Sequence, residues 1–172
     1  RVLAHLRRAP DSRCALLYLD VDRFKEINDS LGHQAGDEVL REVARRLQGC
    51  VREPDVVARL SGDEFAILLE DVEVPNTAVK VAQRIHAALQ VPLRVHHRDV
   101  ATSASIGIAV GDARYALADE ILRDADVALY RAKAAGRGRF ELFDETMQKD
   151  AIDALALQDQ LRVALAEDQF EA

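Results

Sequence analysis

The chain has 172 residues, of which 49% are hydrophobic and 31% are charged, and its net charge at pH 7 is -7. That length is typical of one domain that buries roughly 70% of its unfolded surface, and the composition excludes a disordered chain. The negative net charge argues against a general binder of nucleic acid or of membrane surfaces, because both need a positive field.

Hydrophobic periodicity predicts strands and helices that alternate along the chain. The predicted elements are, in order, a helix at 1–9, a strand at 15–19, helices at 23–31 and 37–48, strands at 56–58 and 65–69, a helix at 77–89, strands at 93–95 and 100–110, a helix at 117–135, a strand at 140–143 and a helix at 146–166. The strand pairs around 61–64 and 96–98 predict two hairpins. Hairpins mixed with crossover helices predict an α+β fold, with antiparallel strand pairs and helices on the faces of the sheet.

Local patterns exclude further classes of protein. The longest uncharged apolar stretch, residues 100–111, is too short to cross a bilayer as a helix, and residues 1–8 do not resemble a signal peptide. Cys14 and Cys50 are therefore expected to be reduced and packed. We expect a cytoplasmic domain that contacts neither membrane nor nucleic acid, whether or not its parent protein is anchored in a membrane.

Two pairs of acidic residues lie at a strand end and at a hairpin tip, positions where a sheet holds side chains rigidly. Asp20 and Asp22 follow the first strand, and Asp63 and Glu64 occupy the tip of the first hairpin. Carboxylates that converge in this way suit magnesium, which prefers oxygen ligands and shares its shell with substrate phosphates. The alternative is a set of solvated turn acids. The chain lacks the glycine-rich phosphate loops and the H-E-x-x-H and C-x-x-C motifs, so dinucleotide-binding, P-loop and zinc sites are disfavoured.

Three segments resemble, in order and spacing, the GGDEF family of diguanylate cyclases. They are DVDRFKEINDSLGHQAGD at 20–37, RLSGDEFA at 59–66, and DVALYRAK at 126–133 followed by Gly136 and Arg137. The resemblance implies a polymerase-palm or adenylyl-cyclase-like fold with a ferredoxin-like core, in which helices flank a mainly antiparallel central sheet. It also implies an enzyme that uses Mg²⁺, or Mn²⁺ in its place, to join two GTP molecules into cyclic di-GMP with release of two pyrophosphates.

The resemblance assigns roles to individual residues. Asp20, the backbone carbonyl of Val21 and Asp63 are expected to hold the metal. Asp63 and Glu64 are the expected catalytic acids, and which of them helps to activate the 3′-hydroxyl is open. The expected substrate contacts are Asn28 and Asp37 on guanine, Lys25, Lys133 and Arg137 on phosphates, and Phe24 nearby.

Each substrate contact has a structural alternative. Asn28 could end or cap a helix, Phe24 could belong to the core, and the basic residues could be solvated surface charges. For guanine recognition, a carboxylate can accept hydrogen bonds from the base and an amide can donate to it. Lys133 and Arg137 are four residues apart, which would place them on one face at the end of a helix.

A second constellation lies nine residues before Ser61. Arg52 and Asp55 form an R-x-x-D pattern that resembles the family's inhibitory site, where the product binds and arrests the enzyme. The planar guanidinium of arginine suits guanine edges and phosphates. A surface ion pair is the alternative.

The chain also departs from the family pattern. Ser61 stands where the family usually has glycine, and we expect retained, reduced activity. The family's L-T-x-L-x-N-R stretch does not precede Arg1, so we expect a GGDEF domain at 1–145 that is truncated at its N-terminus. Residues 146–172 resemble the connector helix toward an EAL phosphodiesterase domain, with a plain amphipathic helix as the alternative.

Expected partners follow from the resemblance. They are GTP, cyclic di-GMP, a second copy of the chain in a transient C2 homodimer, and EAL and sensory domains of the parent protein. The alternative function is a regulatory domain that binds GTP or cyclic di-GMP and controls an attached EAL phosphodiesterase.

Overall fold

The structure, a computed structural model, describes residues 13–73, 75–95, 97–112 and 115–147. The elements are β1 (Cys14–Val21), α1 (Phe24–Leu31), α2 (His33–Gly49), β2 (Val56–Ser61), β3 (Glu64–Leu69), α3 (Asn76–Gln90), β4 (Leu93–Val95), β5 (Arg98–Val100), β6 (Ala104–Gly111), α4 (Ala118–Ala134) and β7 (Phe140–Leu142). The predicted helix at 1–9 lies outside the described residues, as do the predicted helix at 146–166 and the connector at 146–172 beyond residue 147.

The central sheet has five strands in the order β2-β3-β1-β6-β7. The pairs β2–β3, β3–β1 and β1–β6 are antiparallel, and the edge pair β6–β7 is parallel. The predicted α+β fold with a mainly antiparallel sheet and flanking helices is therefore confirmed. Because β1 lies at the centre, its end is the point where the neighbouring segments of the chain converge.

Both faces of the sheet are covered, which explains the continuous apolar run of β1. The larger core lies on the face of α2 and α3, and it includes Leu17 and Leu19 of β1 together with Phe65 of β3. A smaller core lies on the face of α4, and it includes Leu16 of β1 and Ala125 of α4. Alternate residues of one strand thus enter opposite cores, as the pleat of a strand requires.

The largest differences from the predicted elements lie at residues 93–111 and at the start of α2. The strand at 93–95 pairs with Arg98–Val100 in a separate two-stranded sheet, whereas residues 104–111 form β6 of the central sheet. The predicted hairpin of 93–95 with 100–110 therefore merged two strands, because 101–103 is as uncharged as its flanks and gives no break in the pattern. The helix predicted from residue 37 begins at His33, since Gly32 separates it from α1.

Among the residues that the structure describes, no helix combines the length and the apolar character needed to span a bilayer.

Candidate functional site

The end of β1 and the tip of the β2–β3 hairpin meet at one edge of the central sheet. Asp20 lies opposite Glu64 in the β1–β3 register, and the Val21 backbone N–H donates to the Asp63 carbonyl oxygen over 3.2 Å. The hairpin tip is thereby tied to the strand that carries the first acidic pair. The structure thus brings together the acids that the sequence places 43 positions apart, at 20 and 63.

Lys133 of α4 completes this group, and we name Asp20, Asp63, Glu64 and Lys133 the acidic rim. The Lys133 ammonium lies 2.7 Å from a carboxylate oxygen of Asp20, whose side chain is 16% exposed. Burial raises the pKa of Asp20; Lys133 opposes the shift, and the charges of Asp63 and Asp22 add to it. Burial therefore outweighs the single ammonium at Asp20, and three carboxylates beside one ammonium leave the rim with a net negative charge.

Asp63 and Glu64 differ in how they are held. The Ser61 hydroxyl donates to the Glu64 carboxylate over 2.6 Å. Burial, the Glu64 charge and a hydrogen bond to Glu64 raise the pKa of Tyr18 to about 12, so this phenol stays protonated and donates to the same carboxylate. Among the described residues, the Asp63 side chain has no such partner. The Asp63 carboxylate therefore keeps its acceptor positions unpaired within the described residues, whereas Ser61 and Tyr18 both donate to Glu64.

The serine at position 61 does not strain the hairpin. Ser61 is the last residue of β2, and the left-handed backbone of this turn falls on Gly62, whose φ is 43°. The glycine requirement of this turn therefore lies at position 62, and the family departure at position 61 adds a hydroxyl without a backbone penalty.

The packing of α1 on α2 brings Asn28 against Gly36, which precedes Asp37 in the chain. The Asn28 side-chain oxygen lies so close to Gly36 that any Cβ at position 36 would overlap it, and the Phe24 ring also borders this position. Asn28 ends α1 through its backbone carbonyl, which accepts from the Gly32 N–H over 2.8 Å. Its amide and the exposed Asp37 carboxylate have no hydrogen-bond partner among the described residues, so both are available to a ligand. The capping alternative for the Asn28 side chain is not observed.

The basic residues are spread more widely than their sequence spacing suggests. Helix α4 ends at Ala134, and Arg137 lies beyond it with φ at 63° between two glycines of positive φ. The prediction that Lys133 and Arg137 share one helical face was therefore wrong, because the chain reverses at Gly136. Lys25 is exposed on α1, and neither Lys25 nor Arg137 has a side-chain hydrogen bond or ion pair to any residue that the structure describes.

Asp22 is the residue that sequence reasoning left without a role. Its side chain is buried, at 6% exposure, and accepts from the Ser103 and Ser105 hydroxyls over 2.6 Å each and from the Gly138 N–H over 2.9 Å. The D-x-D pattern at 20–22 draws attention to Asp22. Its hydrogen-bond partners could not be inferred, because they lie more than 80 positions away in the sequence. Asp126 was also missed: burial and the Glu64 charge raise its pKa, which adds it to the acids around Lys133.

A cavity of about 680 Å³ lies beside this network. Its walls come from α1, from residues 98–103 and from the turn after α4, and they include Arg23, Arg98 and Arg137. The cavity therefore connects the phosphate-contact candidate Arg137 with the outer side of α1.

The R-x-x-D pattern forms a closed turn at the entrance to β2. The buried Asp55 carboxylate accepts from the backbone N–H groups of Arg52 and Glu70 over 3.1 and 3.2 Å. The Arg52 guanidinium donates to the Glu70 and Asp71 carbonyl oxygens over 3.2 and 3.1 Å. The side chain of Asp55 is 3% exposed and that of Arg52 is 60% exposed, so only Arg52 is accessible to a ligand in this arrangement.

The donor set at the acidic rim fits a magnesium ion. Within the described residues, no group of three or more His, Cys, Asp or Glu side chains could hold a metal. Magnesium does not need such a cage, because it keeps several waters and takes the remaining oxygens from one or two carboxylates and from substrate phosphates. A cation beside Asp20 and Asp63 would also offset the charge excess that Lys133 leaves.

Comparison with known proteins places these observations in a family. The family model described as "Diguanylate cyclase, GGDEF domain" matches residues 1–139. Over 141 residues the chain is 46% identical to the diguanylate cyclase TpbB of Pseudomonas aeruginosa (strain UCBPP-PA14), covering 80% of this chain and 32% of TpbB. Over 157 residues it is 36% identical to the cyclic di-GMP phosphodiesterase NbdA of Pseudomonas aeruginosa (strain PAO1), covering 91% of this chain and 20% of NbdA.

A solved structure gives the same result at the level of the fold. The crystal structure of the GGDEF domain of TpbB from Pseudomonas aeruginosa matches with a TM-score of 0.79 and 44% sequence identity. The match covers 84% of this chain and 91% of that chain. The chain therefore spans a fifth to a third of the two curated relatives, and most of an isolated domain of the same type.

Proposed function

Since this chain belongs to the GGDEF family of diguanylate cyclases, we propose that it condenses two GTP molecules into cyclic di-GMP and two pyrophosphates. The observation that carries the proposal is the acidic rim, where Asp20, Asp63 and Glu64 lie at one sheet edge and a lysine pairs with Asp20. An excess of carboxylates at the end of a central strand is costly for folding, and a cation with a polyphosphate would relieve it.

The substrate would be held from three sides. Asn28 and Asp37 offer an unpartnered amide and carboxylate, which match the acceptor and donor edges of guanine. The metal would be held by Asp20, the Val21 carbonyl and Asp63, and it would supply charge neutralisation at the phosphates. Lys25, Lys133 and Arg137 would supply further positive charge to the phosphate groups.

The reaction balances without any further co-reactant. The 3′-hydroxyl oxygen of one GTP bonds to the α-phosphorus of the other, the bond from that phosphorus to the bridging oxygen breaks, and pyrophosphate leaves. Asp63 or Glu64 takes the hydroxyl proton. The same step with the roles of the two nucleotides exchanged closes the ring, which suits a C2 homodimer in which each copy holds one GTP.

The direct test is production of cyclic di-GMP from GTP and Mg²⁺, followed by chromatography at several protein concentrations. We expect activity that rises more steeply than protein concentration, because the dimer is the active form. Asp63→Asn should lower the rate by more than about 100-fold. Asp119→Asn is the matched control, because it removes the same charge from the exposed first turn of α4. Equal rates in Asp63→Asn and the control would refute the role of the acidic rim.

Product inhibition is proposed to act through Arg52. Its exposed guanidinium can contact a nucleotide, while the Asp55 carboxylate accepts from its backbone N–H and so fixes the position of Arg52. We expect Arg52→Ala to weaken cyclic di-GMP binding by more than tenfold, a loss of about 1.4 kcal/mol, while GTP turnover persists. Titration calorimetry with cyclic di-GMP measures this, and an unchanged affinity would overturn the inhibitory-site proposal.

The second candidate function is regulatory. The similarity to NbdA, which is named as a phosphodiesterase, favours a domain that binds GTP or cyclic di-GMP and controls an attached EAL domain. The cyclase assay separates the two proposals. GTP binding without any cyclic di-GMP production at high protein concentration would favour the regulatory domain.

A further inference from the structure

The buried carboxylate of Asp22 connects three segments that are distant in the sequence. Asp22 directly follows β1, the strand that carries Asp20. Its oxygens accept from Ser103 and Ser105, at the start of β6, and from Gly138, after α4. The Asp22 backbone N–H also donates to the Ser103 carbonyl over 2.9 Å. One side chain therefore fixes the distance between the acidic rim and the turn that follows α4.

That turn has an unusual backbone. Gly136, Arg137 and Gly138 have φ values of 116°, 63° and 59°, so three consecutive residues have positive φ. A non-glycine residue keeps such a conformation only where the surrounding structure imposes it. On the helix side, the Arg137 N–H donates to the Ala132 carbonyl over 3.1 Å. On the sheet side, the Gly138 N–H donates to Asp22, and the next carbonyl, that of Arg139, accepts from the Ile106 N–H of β6 over 2.9 Å.

We propose that Asp22 is a positioning residue, which holds the turn at 136–138 so that Arg137 points its guanidinium to the substrate phosphates. Three protein donors take most of the acceptor positions of its buried carboxylate, so Asp22 holds the turn and Arg137 makes the phosphate contact. The proposal rests on the proposed function insofar as Arg137 meets a phosphate, and it adds the element that places this arginine beyond the end of its helix.

The chemistry of a carboxylate explains why aspartate stands here. A carboxylate has about four acceptor positions on two oxygens, whereas asparagine of the same shape has one acceptor oxygen and an NH₂ group that can only donate. Asp22→Asn would therefore keep the volume of the side chain and leave at least one of the three donors without its partner. The Ser103 hydroxyl and the Gly138 N–H share one oxygen of Asp22. The Gly138 N–H cannot rotate away as a hydroxyl can, so the turn moves where the NH₂ group replaces that shared oxygen.

A double-mutant cycle tests this link. GTP affinity and kcat/KM are measured for the wild type, Asp22→Asn, Arg137→Ala and the double variant. We expect Asp22→Asn alone to weaken GTP binding by about 10- to 100-fold, the range for residues that orient a site from behind. In the Arg137→Ala background it should cost less than about twofold, because coupled residues are not additive. The same loss in both backgrounds, or no loss in the first, overturns the proposal.

Two further variants separate positioning from charge and from folding. Glu26→Gln removes a carboxylate that lines the same cavity but is not bonded to the turn, and GTP affinity should stay within about twofold of the wild type. Ser103→Ala removes one donor to Asp22 and should reproduce the Asp22→Asn effect more weakly, which keeps the test valid if Asp22→Asn does not fold.

The link can also be measured without substrate. If the wild type neither binds GTP nor makes cyclic di-GMP, the proposed function fails, and hydrogen exchange at the Gly138 amide then tests the positioning claim alone. We expect folded Asp22→Asn to speed exchange at residue 138 by about 10-fold or more, and Ser103→Ala to speed it by less, with α4 unchanged. Unchanged exchange at residue 138 overturns the claim.

Discussion

The acidic rim and the R-x-x-D turn both place aspartate beside a basic residue, but they resolve their charges differently. In the turn, both oxygens of Asp55 accept backbone N–H groups, and Arg52 donates to two carbonyl oxygens. At the rim, Lys133 pairs with Asp20 while the Asp63 side chain has no described partner. In the turn, the hydrogen-bond partners of Arg52 and Asp55 come from the chain itself. At the rim, the Asp63 carboxylate stays unpaired among the described residues, and the net charge is negative.

Buried groups that are paired within the chain, such as those of Asp55, stabilise the fold, whereas unpaired groups, such as those of the rim, are available to bind a ligand. Groups that the fold keeps close without satisfying them reduce stability and are typical of functional sites. We therefore expect substitution of Asp55 to act mainly on stability, substitution of the exposed Arg52 to act on product binding, and substitutions at the rim to act mainly on activity.

The largest effect on stability is expected from Asp55→Ala. The change removes the acceptor of the exposed Arg52 N–H and of the part-buried Glu70 N–H, which should lower the free energy of unfolding by about 1–3 kcal/mol. Urea unfolding followed by circular dichroism measures it. Glu53→Ala is the matched control, since Glu53 is an exposed acid of the same turn with no side-chain partner among the described residues. A loss no larger than that of the control would contradict a structural role for Asp55.

Asp20→Asn should change stability in the other direction, or not at all. Burial raises the pKa of Asp20, so the folded state holds the ionised carboxylate at a cost. A neutral side chain of the same shape removes that cost and loses the ion pair with Lys133, so we expect a free energy of unfolding within about 1 kcal/mol of the wild type, or higher. Cyclase activity should be lost. A drop in stability as large as that of Asp55→Ala would show that Asp20, too, mainly stabilises the fold.

The raised pKa of Asp20 predicts that the stability of the fold depends on pH. The folded state protonates Asp20 more readily than the unfolded chain does, so stability should fall as pH rises from the ordinary aspartate pKa of 3.8 through the raised pKa of the folded state. Magnesium-dependent GTP binding should strengthen over the same interval, because the ionised carboxylate is the ligand. Thermal unfolding between about pH 4 and 7 measures the pH dependence of stability, and GTP titration over the same range measures that of binding. Asp20→Asn should lack the contribution of this carboxylate to both.

The sequence predicted the rim better than the parts that support it. Asp20, Asp63 and Glu64 follow strands whose apolar runs are unambiguous, so their meeting at one sheet edge could be expected. Asp22 could not be given a role, because its partners Ser103, Ser105 and Gly138 join it only through the order of the strands. Arg137 was placed on a helix because spacing was read as helical, whereas a glycine on each side had already changed the direction of the chain.

The smallest effect is expected from Ser61→Gly, which restores the residue usual in the family. The Ser61 hydroxyl holds the Glu64 carboxylate at 2.6 Å in an exposed position, and Tyr18 holds the same group from the other side. Loss of one of two anchors at the surface should be worth about 1 kcal/mol or less, so cyclase turnover should change by less than about fivefold. Steady-state kinetics measures this, with Tyr18→Phe as the variant that removes the other anchor. A change in turnover above about 100-fold in Ser61→Gly would mean that Glu64 depends on this hydroxyl for its role. The rim would then need internal hydrogen bonds much as the turn does.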